Sequence, residues 1–466
     1  MPRLDDLAEK LAPLLGDFLP RQRWYAGHEP PTSVAITTLE LREGDPSLAW
    51  YLLDVVDADG ATATYQVVLG GRPVAGDDDF LQGKQRVTVG DVDGWIWYDA
   101  LVDSELALAV LRRVAPDESA EVARPLLVEQ SNTSVVYDER LILKLFRRVH
   151  PEPNPDVEIT EKLGEQGFPH IVPQLAEMRY ERADLAVVRQ YLLGSTDAWY
   201  LAHTSLRDQL AARLAPEEAG GDFGPEAFTL GEVTGRMHVA LAEAYGTGTP
   251  DTSAWLEGFR AQLARVPKRE VGPRPEPEVD AGGGPPDPIE ASEVIDVAAV
   301  EAALADLVDV ADPGLALRIH GDLHLGQFLL SDAGWFVLDF EGEPVRPMAE
   351  RMAASSPLRD VAGMVRSFQY AARTGLAERG RDVDPELVGM ADAWEARAVE
   401  AYLAGYRHVE GVDELLPATA DDLTKVLRAF ELDKAVYEVI YELAHRPEWV
   451  DIPASAVRRT LALTAG

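Results

Sequence analysis

The stretch His320-Gly321-Asp322-Leu323-His324-Leu325-Gly326-Gln327, followed after a short apolar run by Asp339-Phe340-Glu341, constrains this chain more than any other feature. Phe328-Leu329-Leu330 and Gly334-Trp335-Phe336-Val337-Leu338 read as two short strands around the turn Ser331-Asp332-Ala333-Gly334. A hairpin of that kind brings its two flanking motifs to one end of a small sheet. Asp322, Gln327 and Asp339 would then lie within reach of one metal-bound triphosphate. Phosphoryl transfer needs this inventory. One carboxylate takes the proton of an attacking hydroxyl, and oxygen ligands hold Mg²⁺ on the nucleotide phosphates.

The chain has 466 residues, 46% of them hydrophobic, enough for two lobes or for two to three domains. It has no cysteine, which excludes a disulfide framework, a thiolate metal site and a cysteine nucleophile. The formal net charge is −37, from 80 acidic against 43 basic residues. Nucleic acid is therefore not expected as a partner, since its binding rests on neutralising phosphates with basic side chains. Any ATP site must carry its own positive charge against this field; the charge itself reads as a solubility device. Met1-Pro2-Arg3-Leu4-Asp5-Asp6 does not read as a signal peptide, and no apolar run is long enough for a bilayer. A soluble cytoplasmic protein is expected.

The motifs resemble the catalytic loop and metal-binding segment of protein-kinase-like folds. Gly between His and Asp is the form used by small-molecule kinases such as aminoglycoside and choline kinases. There the amide is usually Asn; here it is Gln327, and Glu341 stands where protein kinases have Gly. The longer string resembles the actinobacterial maltokinases: His320 to Gln327, Asp339-Phe340-Glu341-Gly342-Glu343-Pro344, Pro347, Glu350-Arg351 and Ser356-Pro357-Leu358-Arg359-Asp360 to Met364. So does Gln22-Arg23-Trp24-Tyr25-Ala26-Gly27, which is similar to the opening of the maltokinase cap. The resemblance implies an α+β, bilobal fold with a β-rich N-lobe, an N-terminal cap and a mostly helical C-lobe. Its expected divisions are a cap over 1–100, an N-lobe over 101–193 and a C-lobe over 194–466.

Along the cap, residues 4–19 read as an amphipathic helix, and Val34 to Leu41 alternates like a strand. Trp50 to Val56 and Thr62 to Leu69 flank the turn Asp57-Ala58-Asp59-Gly60. Trp95 to Leu101 reads as a strand or buried turn before a helix through Leu108 and Leu111. In the N-lobe, Leu126 to Gln130 and Val135-Val136-Tyr137 enclose the loop Ser131-Asn132-Thr133-Ser134, whose amides and hydroxyls could contact phosphate. Taken alone, that loop is an ordinary polar turn. Lys144 sits in the next apolar strand, where a lysine needs a partner. In isolation it would be a snorkelling lysine; with Asp322 and Asp339 downstream it reads as the phosphate-binding one. Its expected carboxylate partner is Glu158, or failing that Glu161, on a helix begun by Asn154-Pro155-Asp156. Leu185 to Leu192 reads as a buried strand leading to a hinge at Gly194, where backbone groups near Gln190 and Leu192 would read the adenine edge.

The C-lobe shows helical spacing over 226–244, 292–309, 358–375, 386–409 and 421–444. His238 reads as a core or loop-anchoring histidine, and Arg359 with Asp360 as a structural pair anchoring the catalytic loop. Residues 266–291, rich in Pro, Gly and charge, read as a disordered insertion. Lys434, Tyr437, Glu438 and Tyr441 share one helical face; as a pattern alone it reads as a salt-bridged exposed face. The resemblance turns it into a disaccharide site, with His324 added from the catalytic loop. Its further implications are ATP and Mg²⁺ as cofactors and maltose as acceptor. Asp322 would be the base, Gln327, Asp339 and Glu341 the metal ligands, and trehalose synthase a candidate partner. The rivals are a glucosamine kinase, an aminoglycoside phosphotransferase, and a non-catalytic pseudokinase that scaffolds trehalose synthase.

Overall fold

The computed structural model describes residues 6–462 apart from 28, 75–80, 82, 127–130, 219–220, 267–293, 345 and 381–383. The expected insertion at 266–291 therefore lies, but for its first residue, outside the described residues. The chain divides into two compact units, one of Met1–Glu161 with Val172–Gly194, the other of Lys162–Ile171 with Ser195–Gly466.

The first unit holds two antiparallel sheets. Strands β1 (Ser33–Arg42), β2 (Ser47–Val56), β3 (Thr62–Pro73), β4 (Thr88–Val92) and β5 (Trp95–Asp99) run in the order β1-β2-β3-β5-β4. The β2–β3 turn forms as its sequence predicts: Gly60 is left-handed, and its N–H donates to Asp57 O at 3.0 Å. β2 is buried on both faces, and its pleat sorts the side chains. Ala49, Tyr51, Leu53 and Val55 pack with Leu7, Leu11, Leu15 and Phe18 of helix α1 (Leu7–Phe18). Leu48 and Trp50 point the other way, toward Leu106 and Val110 of α2 (Ser104–Val114). The second sheet, in the order β10-β11-β8-β7-β6, comprises β6 (Ala123–Leu126), β7 (Thr133–Tyr137), β8 (Leu141–Leu145), β10 (Gln174–Tyr180) and β11 (Ala183–Gln190). The short strand β9 (Arg148–Val149) leaves β8 and pairs with β3 of the first sheet.

Two buried polar residues join these sheets. Gln66 on β3 donates to the carbonyls of Phe146 and Leu185, each at 2.6 Å, and accepts from Trp50 Nε1 at 3.0 Å. Arg147, 1% exposed, pairs with Asp99, donates to Thr133 Oγ1 at 2.8 Å, and lies 5.0 Å from the ring centroid of Trp24. The Gln-Arg-Trp-Tyr string of the cap thus contacts the residue that also holds the polar hairpin.

The second unit is mostly helical around a small sheet of β12 (Thr196–Asp197), β13 (Phe328–Ser331) and β14 (Gly334–Val337). Its principal helices are α4 (Ala198–Ala212), α5 (Gly224–Tyr245), α6 (Thr252–Leu263), α7 (Val297–Ala305), α9 (Leu358–Ala377), α10 (Pro385–His408), α11 (Ala420–His445) and α12 (Asp451–Ala462), with the short α8 at Met348–Met352. Part of the acidic surplus is spent on capping. Asp197, Asp251, Asp296 and Asp384 each accept a first-turn N–H of their helix, a favourable place for negative charge. Helices α5 and α10 cross at backbone distance: a Cβ at Gly405 would lie 1.9 Å from Phe228 O. Among the described residues, no helix is long and apolar enough to cross a membrane.

Candidate active site

The hairpin β13–β14 pairs Phe328 with Val337, and Leu338 N–H donates to Gln327 O at 2.9 Å, closing its open end. The two motifs therefore meet as their spacing predicts. His320 Nε2 lies 2.9 Å from Leu338 O, and Asp322 N–H points at His320 Nδ1 at 3.3 Å. A carbonyl can only accept, so the proton sits on Nε2 and Nδ1 is the acceptor. The His320 ring also packs on Phe340, 4.8 Å between centroids. Asp339 takes a left-handed backbone at φ 63°. Aspartate tolerates this conformation better than most side chains.

The loop is held from beneath by Asp360, which is 1% exposed. Its carboxylate accepts from His320 N and Gly321 N, both at 2.8 Å, and lies 3.1 Å from His238 Nε2. His238 Nδ1 is in turn 2.8 Å from Tyr406 Oη. Burial opposes the charge on Asp360, yet the bonds from His238 and the Gly321 amide hold its pKa below the ordinary carboxylate value. His238 is thus the loop-anchoring histidine the sequence suggests. Arg359 and Asp360 act separately, because neighbours on a helix point apart: Arg359 meets Glu343 at 3.2 Å. Gly363, one turn along α9, lies against the same loop, and a Cβ there would be 2.4 Å from Leu323 O. Gly363→Ala is expected to cost about 1–3 kcal/mol, as overpacking does, and to lower activity by displacing the loop. Unchanged thermal stability and kinetics would show that the loop is not seated on α9.

Asp322 Oδ1 receives Lys434 Nζ at 2.9 Å, and the same ammonium meets Glu343 Oε1 at 2.7 Å. Glu343, 3% exposed, also pairs with Arg346 and Arg359. Burial pushes its carboxyl up, but Lys434, Arg359 and Arg346 outweigh this and hold it far below the usual range. Arg346 continues to Asp433 at 2.8 Å. Of the predicted sugar face on α11, Lys434 joins the loop, and its Nζ lies 5.1 Å from the Tyr437 ring centroid. Glu438 is bonded by Arg366, and Tyr441 stacks on His445 at 4.4 Å. His324 Nε2 lies 3.2 Å from Gln327 Nε2, and burial lowers the His324 pKa, favouring a neutral ring. Glu341 O accepts from Arg351 at 2.9 Å. Gln327, Asp339 and Glu341 offer only hard oxygen donors, a set that suits Mg²⁺.

In the first unit Lys144 lies on β8, opposite Val187 and Ser134 in register. Its ammonium meets Asp156 at 3.2 Å, and Arg189 meets the same carboxylate at 3.0 Å. Asp156 is fully buried; burial raises its pKa, but Arg189 and Lys144 together hold it far below the ordinary value. The helix start at Asp156 was legible, but not its role as a partner of Lys144; Glu158 and Glu161 follow on the same helix, α3 (Pro155–Glu165). Within the polar hairpin, Thr133 and Ser134 belong to β7, with Ser131 and Asn132 ahead of it. Gln190 closes β11, and Tyr191 N–H donates to Arg140 O at 2.8 Å, with Leu192 beyond.

Comparison with known proteins agrees with this picture. Residues 18–103 match the maltokinase N-terminal cap domain family. A glucosamine kinase of Streptacidiphilus jiangxiensis is 32% identical over 344 residues, 71% of each chain. One from Mycolicibacterium smegmatis is 27% identical over 347 residues, 73% of this chain and 80% of that one. A solved glucosamine kinase in complex with glucosamine, ADP and inorganic phosphate superposes with a TM-score of 0.61 at 24% identity, covering 92% of this chain and 94% of the other. By the 32% likeness the chain belongs to the same sugar-kinase family as the glucosamine kinase of Streptacidiphilus jiangxiensis; it carries a match to the maltokinase cap over residues 18–103, and its bilobal, α+β kinase-like fold is that of the solved glucosamine kinase.

Proposed function

We propose that this protein phosphorylates maltose at its anomeric hydroxyl, converting ATP and maltose to ADP and maltose 1-phosphate. The observation that carries the reading is the joining of a maltokinase cap over residues 18–103 to a loop whose Asp322 is bridged by a lysine from the predicted sugar face. The anomeric oxygen attacks the γ-phosphorus, the bond to the ADP oxygen breaks, and Asp322 takes the hydroxyl proton. Lys144 offsets charge on the phosphates, and Ser131, Asn132, Thr133 and Ser134 contact their oxygens, with Glu158 supporting Lys144 from α3. Backbone groups at Gln190 and Leu192 read the adenine. Gln327, Asp339 and Glu341 hold Mg²⁺, which when bound neutralises charge developing on the transferred group. His324, Lys434, Tyr437, Glu438 and Tyr441 orient the sugar. Positioning and charge neutralisation suffice, so no covalent enzyme intermediate is involved.

In this reading the protein is cytoplasmic, supplies maltose 1-phosphate for α-glucan synthesis from trehalose, and has trehalose synthase as a partner. A second reading, glucosamine kinase, is favoured by the relative that is 32% identical. ADP release with Mg²⁺-ATP against maltose, trehalose, glucose, glucosamine and kanamycin, with ³¹P NMR of the product, separates the two. An acid-labile anomeric phosphate on maltose supports the first; turnover of glucosamine alone sinks it. Lys144→Met is expected to lower kcat/KM for ATP by about 10²-fold or more, the order of a lost charge contact to the reacting phosphate. An unchanged value would remove Lys144 from the nucleotide site.

A further inference from the structure

In a chain with 80 acidic and 43 basic residues, the surroundings of Asp322 are unexpectedly balanced. Three buried or half-buried carboxylates, Asp322, Glu343 and Asp433, face three cations, Lys434, Arg346 and Arg359, in one connected set of ion pairs that also reaches the exposed Glu350. Each carboxylate is already engaged. Glu343 receives three cations, and Asp433 receives Arg346 together with Gln262 Nε2 at 2.6 Å. The cation nearest the proposed reacting hydroxyl is Lys434, 2.9 Å from Asp322 Oδ1.

Resting on the reading of Asp322 as the base, we infer that Lys434 is a specificity-determining residue that makes this site select neutral sugars over cationic amino sugars. A substrate hydroxyl bonded to Asp322 must lie beside the Lys434 ammonium. An ammonium group on the carbon next to that hydroxyl would face a like charge, while Glu343 and Asp433 beside it are already held by the protein's own cations. A neutral hydroxyl at the same position loses nothing, since an ammonium donates equally well to it. Two unit charges about 5 Å apart at an effective dielectric near 20 suffice for about 10- to 100-fold discrimination.

The groups facing Lys434 are Asp322 and His324 from the catalytic loop, Glu343 from the segment after Asp339, and Tyr437 from its own helix, with Arg346 and Arg359 behind Glu343 and Asp433 behind Arg346. Burial works against the Lys434 charge, but Asp322 and Glu343 hold its pKa above the ordinary lysine value. The cation therefore persists while a sugar amine titrates, and the selection should relax with rising pH as that amine loses its proton.

The test compares the full-length enzyme on maltose and on maltose whose reducing-end 2-hydroxyl is replaced by an amine or, as a bulkier neutral control, an acetamide. The readout is the ratio of kcat/KM for the amine to that for maltose between pH 6 and pH 9, and the same ratio for Lys434→Met. The expected result is a ratio about 10- to 100-fold below one at pH 6, climbing toward one with pH, and already raised at pH 6 in the variant. A ratio flat with pH, or an amine accepted as readily as maltose at pH 6, overturns the inference while leaving maltose phosphorylation standing. Absence of maltose turnover with glucosamine consumed overturns both. If Lys434→Met does not fold, the pH dependence of the unaltered enzyme decides alone.

Discussion

Asp322→Asn should lower kcat by about 10³-fold, the order expected when a general base is lost, while leaving the protein folded. The substitution keeps shape and a hydrogen-bonding oxygen but cannot take up the acceptor's proton. Its structural cost is small, because Lys434 retains Glu343 at 2.7 Å and Asp322 is only partly buried. One partly exposed ion pair contributes about 1 kcal/mol or less, so the melting temperature should move by only a few degrees. Steady-state ADP release and a thermal melt on one preparation read both quantities. Near-normal turnover would remove Asp322 from the chemistry. Lost turnover with a collapsed melting temperature would make it a structural residue instead.

Asp360→Ala should have the largest effect on stability of any change at this site. The carboxylate is buried and accepts from two loop amides and His238 at once. Removing it leaves the buried His320 N–H and His238, and the half-buried Gly321 N–H, without their acceptor, at about 3–5 kcal/mol, as for other broken buried charge networks. The expected fall in melting temperature is about 10 °C. Activity should fall with it even below the melting temperature, because the loop bearing Asp322 loses its support. Asp360→Asn should recover part of the stability, since its oxygen can still accept one bond. A melting temperature for Asp360→Ala within about 2 °C of the unaltered protein would contradict the anchoring role.

The elements of this fold were largely legible in the chain. The strands around Asp57–Gly60 and Ser331–Gly334, the helix Gly224–Tyr245 and the long Ala420–His445 helix lie close to their predicted ranges. Periodicity of 2 or 3.6 residues and turn chemistry act over a few neighbours, which a sequence displays directly. The meeting of His320 with Leu338 and Phe340 was legible for the same reason, since a tight hairpin leaves the flanking motifs little choice of place.

Partnership between charges was legible only in part. Lys434 was singled out as a sugar-face residue, but nothing local says that it reaches Asp322, 112 positions away. On the same helical face, Glu438 is met by Arg366 of α9. Asp156 looked like a helix start and proved also to be a partner of Lys144, because Arg189 on β11 is placed to share it. The structural pair expected of Arg359 with Asp360 became two separate roles once α9 turned their side chains to different neighbours. By itself the sequence determined the elements, the hairpin that joins its two motifs and the kinds of group available for phosphoryl transfer. Only the tertiary structure decided which opposite charges meet, because ion pairs form between whatever side chains packing brings within a few ångströms, and packing is settled by apolar faces far apart in the chain.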